Sequence, residues 1–229
     1  MPLLLLAMTA WGLRPLEHRL AGTAIRPGQL SGLGGNGLMG VLGGMRAAVA
    51  SGLWLRTHQA WMKQEVIGTR ALLQLTVAVD ERPLYFWLNG ARMLAYDIPT
   101  WSLAVDQPLV VQRQAAREGV AAAQVFLEAG LAAHPESTEL MIELANIHLR
   151  AGGDRAAAAE CLRRAAGRPG APYYVARIRG ELLRELGRPQ EALAWLREIL
   201  PGLPADDPAA RRTVVEQRIK ALEAELGEK

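Results

Sequence analysis

A single cysteine in 229 residues removes two kinds of scaffold at once. Cys161 has no partner within the chain, so a disulfide framework is excluded, and a paired-cysteine zinc site with it. Aromatic residues are scarce, twelve in all. The net charge of +3 is small and spread out, and no Lys/Arg block of the nucleic-acid-binding kind occurs. No Gly-Lys-Ser/Thr follows the glycines, which excludes a Walker loop, and no G-x-S-x-G nucleophile turn is present. Against these absences stands an apolar fraction of 50%, enough for a sizeable core in one or two domains.

Charge is missing from the front of the chain. The first 53 residues carry only Arg14, Glu17, Arg19, Arg26 and Arg46. The first 82 hold eight basic and four acidic residues, whereas the last 147 balance at 18 against 19. Met1 to Leu13 is uncharged and, as a helix, spans about 20 Å, short of a bilayer core of about 30 Å. The reading adopted is a hydrophobic N-terminal helix over residues 1–22, meeting a membrane through residues 1–13 with Trp11 and Arg14 at the interface. A buried core helix is the alternative. Residues 23–39 read as a Gly-rich linker. Gly32, Gly34 and Gly37 satisfy G-x-G-x-x-G to the letter. No strand pattern precedes them and no acidic residue occurs between Glu17 and Glu65, so a dinucleotide site is not expected. Gly40, Gly44, Ala48 and Gly52 recur every fourth residue, which predicts a smooth helical face that another helix can approach closely.

From about residue 38 the pattern is helical, with short Pro/Gly punctuation. Pro135, Pro169 and Pro204 close successive segments at spacings of 34 and 35 residues, the period of tetratricopeptide repeats. The chemistry between them is similar to that family. In 138–169, Leu144 and Ala145 take first-helix packing positions, Gly152 and Gly153 the turn, and Ala157 the small second-helix position. In 173–204, Gly180 is the small first-helix residue, Gly187 the turn and Ala192 its counterpart. Two earlier units, 40–83 and 84–135, are divergent, the second carrying an insertion from Ile98 to about Asp106. Residues 205–229 are expected to cap the array, with Asp207 as N-cap, Pro208 at N1 and an apolar stripe of Val215, Ile219, Leu222 and Leu226. The expected architecture is all-α: tetratricopeptide-like hairpins in a right-handed superhelix, with the N-terminal helix before it and a cap helix after.

A narrower resemblance covers Gly43 to Trp101. Gly43, Gly44 and Arg46, followed by Leu53, Trp54, Leu55 and Arg56, resemble a group of bacterial membrane-anchored tetratricopeptide proteins with a Gly-Gly-Phe-Arg and Leu-Trp-Leu-Arg-Ala signature after a transmembrane helix. Met45 replaces the Phe and Thr57 the Ala. The resemblance implies a bacterial inner-membrane location, single-pass or peripheral, and adds no chemistry.

Catalytic groupings are not apparent. His18, His58, His134 and His148 lack metal-ligand spacing, and Cys161 reads as a small buried hydrophobe. Asp80/Glu81 and Asp206/Asp207 each precede a proline and a helix start, which is capping chemistry. Asn89, Arg92, Tyr96 and Asp97 lie in an aromatic-rich stretch. A structural polar network of Asn89, Arg92 and Asp97 joined by Arg46 or Arg56 is expected there, because buried polar groups need partners. Partner binding is expected on the face formed by the first helices of successive units, through Asn146, Arg150, Tyr174, Arg177, Glu181 and Arg184, beside Glu139 and Ile142. The functional expectation is a non-enzymatic, membrane-tethered scaffold or assembly subunit that binds protein. No cofactor, metal or nucleic acid is expected, and no small-molecule substrate is indicated. The alternatives are a soluble adaptor for a peptide tail and an accessory subunit of an enzyme or transport complex.

Overall fold

The computed structural model describes residues 35–101 and 107–227. The expected anchor and most of the linker lie outside them. The chain falls into two compact units, residues 1–48 and 49–229. Among the described residues every regular element is a helix: α1 (Gly35–Met62), α2 (Val66–Val79), α3 (Leu84–Arg92), α4 (Leu109–Ala133), α5 (Thr138–Ile147), α6 (Arg155–Ala166), α7 (Tyr173–Glu185), α8 (Pro189–Ile199) and α9 (Arg212–Leu226).

Of the first unit, residues 35–48 belong to α1, where Gly44, Met45, Arg46 and Ala48 are exposed. The small-residue face expected to receive another helix is open at Gly44 and Gly52: a Cβ added at either would meet no atom within 4 Å. Both are exposed.

The second unit is a series of packed helix pairs. From α3 onward each helix lies against the next through to α9, and α2 packs on α3. The regular part is α5 to α8. Ser137 caps α5 by accepting from the Leu140 amide at 3.2 Å, and Asp154 caps α6 by accepting from Ala157 at 2.9 Å. Gly153 and Gly187 turn the chain at φ 65° and 70°, the left-handed region that glycine enters without penalty. Gly180 sits where α7 crosses α8, and a Cβ there would come within 2.8 Å of Leu196. Ala192 is fully buried and Ala157 half-buried.

The α3–α4 pair is tighter. Three glycines replace side chains along it: a Cβ at Gly90 would press on Phe126 at 2.7 Å, at Gly130 on Trp87 at 2.9 Å, and at Gly119 on the Leu94 carbonyl at 2.8 Å as well as on the Pro99 ring. Helix α3 also runs further than the sequence suggests. It passes through a π turn at Met93–Asp97 into Ile98–Trp101, so the beginning of the supposed insertion is helical. The π turn has a plain cause. Pro99 has no N–H and its ring would strike the carbonyl four residues back, and the wider turn makes room. In that turn the Ile98 amide bonds to the Met93 carbonyl instead of to Leu94.

The cap differs from expectation at its start. Helix α9 begins at Arg212, not at Pro208, because Arg211 takes a left-handed conformation (φ 46°) that interrupts the approach. Asp207 instead accepts from the Ala209 amide at 2.8 Å and closes a short turn. Val215, Ile219 and Leu222 are buried against α8, as an apolar stripe at helical spacing requires. On its other faces Glu216, Arg218 and Glu223 are half-buried and ion-paired to Arg212, Glu181 and Arg197.

Candidate functional site

First helices α3, α5 and α7 present one face, and a groove of about 520 Å³ opens along it. Its residues follow helical spacing. Leu88 and Arg92 come from α3; Glu139, Ile142, Glu143 and Asn146 come from α5; Tyr174 comes from α7, beside the turn Pro169–Pro172. Positions four apart share a face, so this juxtaposition is fixed once the helices pack in order.

The floor is a bidentate ion pair. Arg92 donates from Nε to Glu143 Oε1 at 2.9 Å and from a terminal nitrogen to Oε2 at 2.6 Å. Glu143 is 5% exposed, whereas half of the Arg92 side chain remains in water. The carboxylate is therefore tolerated within the fold only because the guanidinium meets both its oxygens. Those bonds raise the Arg92 pKa further above its ordinary value. One turn on, the Tyr96 hydroxyl donates to the Asn146 carbonyl at 3.4 Å, and burial pushes the phenol above the usual tyrosine value.

The expected polar network is thus re-sorted. Arg92 pairs with Glu143 on another helix, not with Asp97. Asp97 accepts instead from the Trp61 indole at 2.8 Å. Asn89 donates to the Tyr85 carbonyl on its own helix at 2.9 Å. Arg56 and Arg46 are exposed. The aromatic stretch does join α1 to α3, since Trp54 packs against Tyr85 and Phe86, each at 5.3 Å between ring centroids. The earlier acidic pair also departs from capping: Asp80, 1% exposed, ends α2 and binds Arg82 at 2.7 Å.

Of the six partner-binding residues read from the sequence, Asn146 and Tyr174 meet in the groove. Arg150 is exposed in the π turn His148–Gly152 at the end of α5. Arg177 and Glu181 turn to the cap, and Arg184 pairs with Glu181 on its own helix. Arg177 donates to the carbonyls of Ala209 and Ala210 at 3.1 and 2.9 Å. Burial, with Arg211 nearby, lowers its pKa from the arginine norm. Glu181 pairs with Arg184 at 3.2 Å and with Arg218 of α9. These three residues are bonded within the fold, while Glu181 and Arg184 keep more than a third of their side chains exposed. Sequence reasoning missed Glu143. Its signal was a lone carboxylate within the otherwise apolar run LMIELA.

The groove contains ion-paired and amide groups rather than a nucleophile beside a base. Cys161 is buried elsewhere, its thiol pushed up to about 11 by desolvation. His148 is buried, His58 stacks on Trp61, and His134 bonds through its ring to the Glu81 carbonyl at 2.7 Å. Among the described residues no three His, Cys, Asp or Glu side chains are grouped to hold a metal ion. Also among the described residues, no helix is long and apolar enough to cross a membrane. No family model matches the chain, and no curated protein matches it.

Proposed function

We propose that the helix pairs of residues 84–226 are a tetratricopeptide-like array. On this reading the chain is a non-catalytic scaffold or assembly subunit, tethered to a bacterial membrane through residues 1–13, that holds a peptide segment of a partner protein. The observation that carries the proposal is the α3–α5–α7 groove, where Asn146 and Tyr174 stand over the Arg92–Glu143 pair. The half-buried Asn146 lines the groove, and an asparagine amide supplies both a donor and an acceptor to an extended backbone. Tyr174, 42% exposed, and half-buried Ile142 offer apolar surface for a side chain.

A photo-crosslinking amino acid in place of Tyr174, in the full-length chain within native membranes, tests this reading. One discrete crosslinked protein is expected, released only with detergent and lost when Asn146 is replaced by Ala. The same crosslink undiminished in Asn146→Ala would remove the groove from the proposal. Full recovery of the chain without detergent would remove the tether and leave the soluble adaptor.

A further inference from the structure

A second groove lies between α2 and α4, with α3 as its floor, and its chemistry is unlike that of the first. It measures about 730 Å³ and is apolar along most of its length. Trp87 and Leu94 form the floor, Val77 lies on the α2 side, and Val125 and Phe126 lie on the α4 side. On α2 the lining positions are 70, 73, 74, 77 and 78, one stripe of a helix, and Glu81 lines the groove two residues beyond the helix end. Arg70 stands in the first half of α2 and Glu81 just past its C-terminal end, so the two charges mark opposite ends of the lining along α2. Neither side chain has an ion-pair partner among the described residues.

The groove therefore has a cation at one end, an anion at the other and an apolar middle. Rotation by 180° about an axis through its midpoint exchanges the ends. A second copy placed by that rotation sets its Glu81 against Arg70 of the first and its Arg70 against Glu81, the self-complementary arrangement of a two-fold dimer. The stripe of α2 from each copy then lies antiparallel to the other, with Gln74 beside the axis. A stable dimer buries about 800 Å² per subunit, more than so short a groove supplies. Exposed apolar side chains extend the surface at the rims: Ile67 and Leu75 on α2 are 85% and 48% exposed and Val125 on α4 is 67% exposed.

We infer that the α2–α4 groove is a homodimer interface, with Arg70 and Glu81 paired reciprocally across a two-fold axis. The test is sedimentation of the full chain in mild detergent, with circular dichroism melts to show that each variant is folded. The chain is expected to be dimeric at about 50 µM. Arg70→Glu alone, or Glu81→Arg alone, is expected to raise the dissociation constant about tenfold or more, and the double swap to restore it to within about threefold. Val125→Glu, at an exposed site, should leave a folded monomer. Gln74→Cys should give a covalent dimer under mild oxidation, while Gln190→Cys on α8 should not. A monomeric wild-type chain, a dimer indifferent to Val125→Glu, or a double swap no better than the single ones would each overturn the inference.

Discussion

The helices before residue 134 and those after it solve the same packing problem with different materials. The earlier group, α2 to α4 with the second half of α1, is held by rings and by glycines that let backbones nearly touch. The later group, α5 to α9, uses ordinary aliphatic and alanine packing with ion pairs around it: Arg155–Glu185, Arg188–Glu191 and Arg197–Glu223 are examples. Their surfaces differ in the same sense. Leu55, Met62, Ile67, Val110 and Val125 are each more than 60% exposed, whereas in the later group Tyr174, Ile178 and Val214 stay below 50%. The later helices are finished for water. The earlier ones carry apolar surface of the kind that marks an interaction site.

The glycines offer the hardest test of that contrast. Gly119→Ala should cost about 3 kcal/mol, because the new methyl meets the Leu94 carbonyl and the Pro99 ring, neither of which can swing away. Gly180→Ala meets only the end of Leu196, which can rotate, and gains up to about 1 kcal/mol in helix propensity. Its net cost should be under about 1 kcal/mol. Chemical denaturation of both variants reads the difference, and equal losses would dissolve the distinction between the two groups.

The Arg92–Glu143 pair joins the groups, and its loss should be intermediate. Arg92→Met leaves a buried carboxylate without its partner, which costs 3–5 kcal/mol at a fully buried pair; with half of Arg92 in water about 2 kcal/mol is expected. Glu143→Gln in the Arg92→Met background should recover part of it. A melting temperature unmoved by Arg92→Met would mean that the helices dock without the pair.

The smallest effect belongs to the later surface. Arg155→Ala removes an ion pair whose members are both about half exposed, so a change below about 0.5 kcal/mol is expected, shrinking further in 0.5 M salt. A loss above about 1 kcal/mol would show that the ion pairs hold this group together rather than coat it.

How far the sequence could be read follows the same divide. Proline spacing, the turn glycines and the stripe from Val215 to Leu222 lead directly to α5–α9, because local chemistry there agrees with the packing it produces. Gly90, Gly119 and Gly130 carry no such signal. Within a helix a glycine reads as a propensity defect, and only a neighbour from another helix reveals it as a point of contact. The continuation of α3 through Pro99 was hidden for a related reason, since the rule that proline ends a helix makes no allowance for a π turn before it. For the groove, Asn146 and Tyr174 were legible from repeat register. Arg92 was legible as a residue in need of an anion, but that anion lies 51 positions away, whereas Asp97 stands nearby in the same stretch.

The placing of α9 has a consequence for how such a chain can change length. Arg177 reaches the carbonyls of Ala209 and Ala210, Glu181 takes Arg218, and the stripe of α9 covers α8. The side of α8 where a further helix pair would stack is already covered, by a segment of the same chain whose polar groups are matched to it. Duplication of a unit at this end would first have to displace that segment. Lengthening the array is easier from within, between Pro135 and Pro204, where each hairpin is bounded by its own turn.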